Sequence, residues 1–173
     1  MNLRIYKIIA LLLLTCTASI SVAMHKNTKK NTKNKSVKTI SSPIQALEFG
    51  RSGCFGTCPI YYVELFKDGK MVYHGKRYTD YIGDYEKQIS DTSMLNFFNR
   101  FYAIKPDTLE DSYTIRVADL PGFYFKITYK NATKQVLNAE NGPRFLRDWA
   151  RKIDDFVNID KDWKQLKDLD KNH

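Results

Sequence analysis

Apolar and polar positions alternate along several stretches of the chain, which predicts a sheet built from β-hairpins. Between residues 59 and 67, one face of a strand with period two is apolar, and the other mixes aromatic residues with Glu64. The Asp68-Gly69 pair that follows favours a tight turn into a second strand at 71–74. Further strands are predicted at residues 44–50, 81–89, 123–129 and 134–139, of which the last two form a second hairpin.

Apolar residues spaced three and four apart predict two helices. Ser90 is a candidate N-cap for the first helix, whose apolar positions run from Met94 to Tyr102. The Asn141-Gly142-Pro143 sequence favours the start of the second. Its predicted apolar stripe is Phe145, Trp149, Ile153 and Phe156. The pattern as a whole predicts the α+β class: a single domain in which two helices pack on an antiparallel sheet of hairpins.

The start of the chain has the composition of an export signal. Residues 1–23 combine a short basic start, an apolar stretch and small residues before a cleavage position, which is typical of a signal peptide. An alternative lies in the same segment, because Leu13-Leu14-Thr15-Cys16 resembles a bacterial lipobox, in which Cys16 would be lipidated. The chain is therefore predicted to be exported, either as a periplasmic protein or as a lipoprotein attached to the membrane by its lipid.

Two polar segments flank the predicted domain. Residues 24–42 are rich in Lys, Asn and Thr with few apolar residues, so they are predicted to form a disordered basic tether. Residues 43–158 then form the folded domain. Residues 159–173 are predicted to be a polar C-terminal helix or tail, because few of their side chains are apolar.

The formal net charge of +9 lies mostly outside the predicted domain. Two basic residues belong to the predicted signal peptide and six lysines to the tether, which leaves the rest of the chain nearly neutral. Domains that bind nucleic acid carry their basic residues on a folded face. The charge distribution therefore argues against a nucleic-acid partner and favours an unknown protein or small ligand in the cell envelope.

The cysteine pair Cys54 and Cys58 has three chemical interpretations. Export and the flexible Gly56 favour a structural disulfide. A redox-active pair would need a lowered thiolate pKa, for which Arg51 is the nearby candidate, although the residues after Cys58 are strand-like and supply no helix N-terminus. A copper site would need a further ligand, for which His74 is the candidate. We predict the disulfide and keep the redox and copper sites as the alternative.

Other chemical motifs are weaker. The neighbouring acids Asp154 and Asp155 point apart on a helix, so we interpret them as structural. The sequence contains no phosphate-binding glycine loop, nucleophile elbow or His-Glu metal helix. We therefore assign no catalytic residue, no metal and no cofactor, and expect that the protein is not an enzyme.

Several short motifs together resemble a known family. The run from Arg51 to Tyr61 contains Gly-Cys-Phe-Gly-x-Cys-Pro-x-Tyr. With the Asp68-Gly69 turn, Val72-Tyr73-His74-Gly75, Asp119-Leu120-Pro121, Gly142-Pro143 and Ile153-Asp154, it resembles an uncharacterised bacterial family, the domain of unknown function 6438, common in exported proteins and lipoproteins. The resemblance covers about residues 44–157 and departs from the pattern at Ala118, where Thr is expected. The resemblance supports the α+β fold and the exported compartment, and it implies no activity.

The sequence thus predicts an uncharacterised exported domain of the cell envelope that acts as a binding or structural module stapled by a disulfide. The alternative is a thiol-disulfide redox or copper-handling protein that uses the Cys-x-x-x-Cys-Pro motif. Tyrosines on and between the predicted strands offer a recognition surface for the binding interpretation. These tyrosines are Tyr61, Tyr62, Tyr73, Tyr78, Tyr81 and Tyr85.

Overall fold

A computed structural model of the chain describes residues 41–114, 120–139 and 141–166. The predicted signal peptide with Cys16 lies outside the described residues, as do tether residues 24–40 and the end of the chain after residue 166. Within the described part, neither helix has the length and apolar character needed to span a membrane.

The described residues form one eight-stranded sheet that is antiparallel except at one pairing. Its strands are β1 (Ala46–Arg51), β2 (Ile60–Phe66), β3 (Lys70–Arg77), β4 (Gly83–Gln88), β5 (Ser112–Tyr113), β6 (Phe123–Thr128), β7 (Thr133–Asn138) and β8 (Lys164–Gln165). Their order across the sheet is β5-β7-β6-β1-β2-β3-β4-β8. The predicted sheet of hairpins is confirmed in outline, and the correction is that β5 joins β7 in parallel.

The two predicted helices are present. Ser90 caps α1 (Asp91–Tyr102), accepting a hydrogen bond from the backbone N–H of Ser93 at 3.2 Å. Helix α2 (Arg144–Val157) begins directly after Pro143. A single turn of 3-10 helix, Pro106–Thr108, follows α1.

The core lies between one face of the sheet and the two helices. In the register of the three central strands, Phe49 of β1 lies opposite Val63 of β2 and Phe125 of β6, and all three side chains are fully buried. Because strand side chains alternate, every second residue of these strands enters the core and the others face away from it. The helices contribute Met94, Phe97, Phe98, Phe101, Leu146, Trp149, Ala150, Ile153 and Val157 to the same cluster.

The apolar stripe of α2 differs from the prediction at its start. Phe145 is 37% exposed, whereas its neighbour Leu146 is fully buried. Leu146 lies three residues before the buried Trp149, and the buried face then continues through Ala150 and Ile153. Phe145 is therefore at the margin of the stripe.

The packed region is longer at both ends than the predicted range of residues 43–158. Ser42 is buried, and its backbone N–H donates to Asn99 Oδ1 at 2.6 Å. At the other end, Trp163 is buried in the core. Residues 159–173 are predicted to be a polar helix or tail; where the structure describes them, Lys164–Gln165 form the short strand β8 beside β4.

Candidate functional site

Cys54 and Cys58 lie in the loop between β1 and β2, at disulfide-bonding distance, with their Cα atoms 5.6 Å apart. Both cysteines are half-buried, and Phe55 between them is 90% exposed. The strand β2 begins two residues after Cys58, so the segment that follows the motif supplies a strand and not a helix N-terminus that could stabilise a thiolate.

Arg51, the candidate partner of a thiolate under the redox alternative, contacts a different group. Its guanidinium forms an ion pair with Asp154 of α2, and its Nε also donates to the Tyr61 hydroxyl at 3.1 Å. Arg51 and Tyr61 lie opposite each other in the β1–β2 register, which places both side chains under α2. Within the described part of the chain, Arg51 therefore forms its ion pair with the Asp154 carboxylate and makes no hydrogen bond to the cysteine sulfur atoms.

The Tyr61 hydroxyl completes this network by donating to Asp154 Oδ1. Burial and the neighbouring Asp154 charge raise the pKa of Tyr61 far above its usual value, so its phenol stays neutral. Burial lowers the pKa of Arg51, but the hydrogen bond and attraction of Asp154 outweigh that effect and raise it overall. The Asp154 carboxylate therefore accepts hydrogen bonds from Arg51 on β1 and from Tyr61 on the adjacent strand β2.

Next to this network is a cavity of about 330 Å³ at the end of the sheet. We call it the tyrosine cavity. Its walls come from strands β1, β2 and β3, the residue before β2, the loop after β3 and the end of α2. The residues that line it are Phe49, Pro59, Tyr61, Val63, Tyr73, Tyr78, Thr79, Asp80, Asp154, Val157, Asn158 and Ile159.

Two tyrosine rings form one wall of the cavity. The rings of Tyr61 and Tyr73 stack with their centroids 5.2 Å apart, and the Tyr73 hydroxyl lies 2.7 Å from Thr79 Oγ1. Burial raises the pKa of Tyr73; the Thr79 hydrogen bond lowers it, and the charges of Asp154 and Asp80 add to the increase. The phenol groups of this wall are therefore neutral, and the negative charges of Asp154 and Asp80 act on them.

The rim of the cavity includes strained backbone. Tyr78 has φ of +55°, a left-handed conformation that is uncommon for a bulky residue. Asn158, at the C-terminal end of α2, also has a positive φ, of +33°. Such conformations persist when the surrounding structure demands them and are concentrated at functional sites.

His74 lies on the opposite face of the sheet from the tyrosine cavity. Its Nδ1 is 2.7 Å from Asp84 and its Nε2 is 3.2 Å from Glu64, and its ring stacks on Tyr62. Because the two ring nitrogens point in opposite directions, one metal ion cannot bind His74 and both carboxylates together. Across residues 41–114, 120–139 and 141–166, no group of three or more His, Cys, Asp or Glu is arranged to hold a metal.

The structure thus separates the predicted site residues into three places. Cys54 and Cys58 lie together in an exposed loop, Arg51 lies under α2, and His74 lies on the far face of the sheet. The six tyrosines do not form one surface either, because Tyr62 faces away from Tyr61 and Tyr73.

The sequence interpretation missed the role of Asp154. A signal was present, because Asp154 lies four residues after Ala150 and three before Val157, both of which are on the buried face of α2. An acid at the edge of an apolar stripe needs a partner. Asp80 and Thr79 carried no comparable signal, because they belong to a loop.

A family model described as "Domain of unknown function (DUF6438)" matches residues 45–157. The match includes the cysteine loop and all but two of the residues that line the tyrosine cavity. A search of curated proteins found no match to the chain.

Proposed function

We propose that this chain, which belongs to the DUF6438 family, is an exported domain of the cell envelope that binds a small ligand in the tyrosine cavity. The observation that carries the proposal is the cavity itself. Its volume of about 330 Å³ is in the range of small-molecule sites, and its apolar walls carry a few converging polar groups.

The cysteine motif supports this proposal by its position. Pro59 and Tyr61, which lie one and three residues after Cys58, line the cavity, and Arg51 before the motif forms an ion pair with Asp154. A bond between Cys54 and Cys58 would restrict the loop that leads into this wall. The motif then has a structural role in shaping a binding site, and needs no redox chemistry.

The proposal that the protein is exported is based on its sequence. The signal-like residues 1–23 and the basic residues 24–42 favour a protein that reaches its ligand from a tether in the envelope. Cleavage after Ala23 and lipidation at Cys16 remain alternative forms of the same proposal. The mass of the N-terminal peptide from chain purified from the envelope distinguishes them.

A ligand screen, repeated on a variant whose cavity is filled, tests the proposed function. The exported chain is screened by NMR against sugars, amino acids, amines and cell-wall fragments. We expect at least one compound to shift the amide signals of residues 78–80 and 157–159. The variant Thr79→Trp should remove these shifts by filling the cavity, while Thr133→Trp, at an exposed position of β7, should retain them. No cavity shift from any compound would contradict the proposal.

The redox alternative is favoured by one observation, the exposure of the loop around Cys54 and Cys58. It is tested by the reduction potential of the pair. A structural bridge should lie below about −300 mV and leave insulin unreduced, whereas a catalytic pair should lie near the glutaredoxin range of about −200 to −230 mV. A potential in the second range would replace the binding proposal by the redox one.

A further inference from the structure

The lining of the tyrosine cavity combines carboxylates and aromatic rings, and none of its described residues is Lys or Arg. The carboxylates are Asp80, in the loop after β3, and Asp154, on α2. Asp154 is already paired with Arg51. Asp80 is exposed and makes no hydrogen bond within the described part of the chain. Its charge therefore remains available to a ligand.

The end of α2 adds to the negative potential. Val157, Asn158 and Ile159 line the cavity at the C-terminal end of this helix, where the backbone carbonyls carry a partial negative charge. The last turn of α2 has no basic residue to offset that charge. The potential of the helix end and that of Asp80 therefore have the same sign.

The aromatic rings favour cations for a separate reason. The face of a tyrosine ring carries negative charge density and attracts ammonium and guanidinium groups. The Tyr78 ring already has such a partner, because the Arg77 guanidinium lies 4.7 Å from its centroid. Arg77 does not line the cavity, so it does not occupy the space next to Tyr61 and Tyr73.

We infer that the tyrosine cavity binds the ammonium group of a small organic cation, with Asp80 as its counterion and the tyrosine rings as its walls. This inference rests on the proposed function and names its ligand class. An anionic ligand would meet the negative charge of Asp80 and of the helix end, with no Lys or Arg among the described lining residues to offset it. A neutral ligand would leave the carboxylate of Asp80 without a charged partner.

Choline and its uncharged analogue 3,3-dimethylbutan-1-ol test the role of charge, because they differ only in the nitrogen atom and its charge. Binding to the exported chain is measured by NMR titration of the amides of residues 78–80 and 157–159. N-Acetylglucosamine serves as a neutral, hydrogen-bonding probe. We expect choline to bind about tenfold more tightly than the uncharged analogue, from cation–π attraction and the Asp80 charge.

Two variants identify the residues responsible. Asp80→Asn keeps the side-chain size and removes the charge, so it should weaken choline binding about threefold and leave binding of the uncharged analogue unchanged. Its matched control is Asp155→Asn, an exposed acid of α2 that does not line the cavity. Tyr78→Asn removes a ring while keeping a residue that tolerates the positive φ, and should also weaken choline binding about threefold.

Each outcome decides between the inference and the function on which it rests. Equal binding of choline and its uncharged analogue at the cavity, or cavity shifts from N-acetylglucosamine alone, would overturn the cation inference and leave the ligand-binding function standing. An equal effect of Asp80→Asn and Asp155→Asn would also overturn it. If none of the three probes and no compound of the screen shifts the cavity signals, both proposals fail.

Discussion

The ion pair between Arg51 and Asp154 is only partly buried, so its contribution to stability depends on the geometry in which its groups are held. Its two side chains are 29% and 30% exposed, so water screens part of the attraction. Two nitrogens of the guanidinium approach the carboxylate, and the Tyr61 hydroxyl also donates to it. This arrangement orients Asp154 at the wall of the cavity, which a single long-range attraction would not do.

The pair should contribute more than an exposed pair on the same helix. We expect Arg51→Met and Asp154→Asn each to lower the free energy of unfolding by about 1.5 kcal/mol, with a coupling of about 1 kcal/mol in the double variant. Urea denaturation of the two single variants and the double variant gives the free energies for this double-mutant cycle. The control is the Asp148–Arg151 pair of α2, whose side chains are 37% and 68% exposed. Its coupling should stay under about 0.5 kcal/mol, and equal couplings would contradict our account.

The buried phenol of Tyr61 makes stability depend on alkaline pH. In the unfolded chain a tyrosine ionises near its usual pKa of 10.0, whereas in the fold the pKa of Tyr61 is raised. The folded state therefore keeps a proton that the unfolded state loses. This contribution is fully present below pH 10 and is lost as the pH rises above it.

Urea denaturation between pH 9 and pH 11 measures this effect. The free energy of unfolding should fall above pH 10, and Tyr61→Phe should reduce that fall by up to about 1 kcal/mol per pH unit. Between pH 7 and pH 9 the two proteins should show the same pH dependence. Parallel curves across the whole alkaline range would show that Tyr61 titrates normally.

The loop between β1 and β2 is held at both ends by paired strands, so a bond between its cysteines is a local constraint. We expect the double variant Cys54→Ser, Cys58→Ser to lose about 2 kcal/mol of stability and to keep its fold, because the closed ring is short. Denaturant unfolding and far-UV circular dichroism measure the two parts of this expectation. Loss of the folded spectrum at low denaturant would contradict it.

Oxidation of the pair is checked separately. Alkylation of the chain, purified without reductant, should leave the mass of the peptide containing Cys54 and Cys58 unchanged. The same treatment after reduction should add two alkyl groups. Two groups added without reductant would show that the thiols are free.

The beginning of the packed region determines how much of the chain can be removed. Deleting residues 24–40 should leave the thermal midpoint nearly unchanged, because these residues have few apolar side chains to bury. Deletion through Ile44 should cost about 3 kcal/mol, because it removes a fully buried Ile and the bond from Ser42 to Asn99. Thermal unfolding compares the two. Equal midpoints would show that Ser42 and Ile44 do not contribute.

The same deletion tests whether the basic residues before the folded domain bind anionic membranes. Six lysines fall in residues 24–40, and each basic residue near an anionic membrane contributes up to about 1 kcal/mol of attraction. The deleted chain should therefore lose most of its salt-sensitive binding to anionic vesicles. Unchanged binding at low salt would place the relevant charge on the folded domain.

The sequence was sufficient for the features that depend on neighbouring residues. Strand alternation, the Asp68-Gly69 turn and the Ser90 cap each act within a few residues, and the structure confirms β2, β3 and α1 where they were predicted. A period of two or 3.6 residues is readable directly, because it reports which side chains one face of an element must bury.

The long-range arrangement could be found only in the folded chain. Arg51 and Asp154 are 103 residues apart in sequence, β5 joins β7 in parallel, and β8 pairs with β4 through two residues. None of these has a local pattern, because each depends on where distant segments meet after the core has formed. The tyrosine cavity belongs to this second class: its walls come from three strands, the loops next to them and a helix end, and only their packing leaves the space between them.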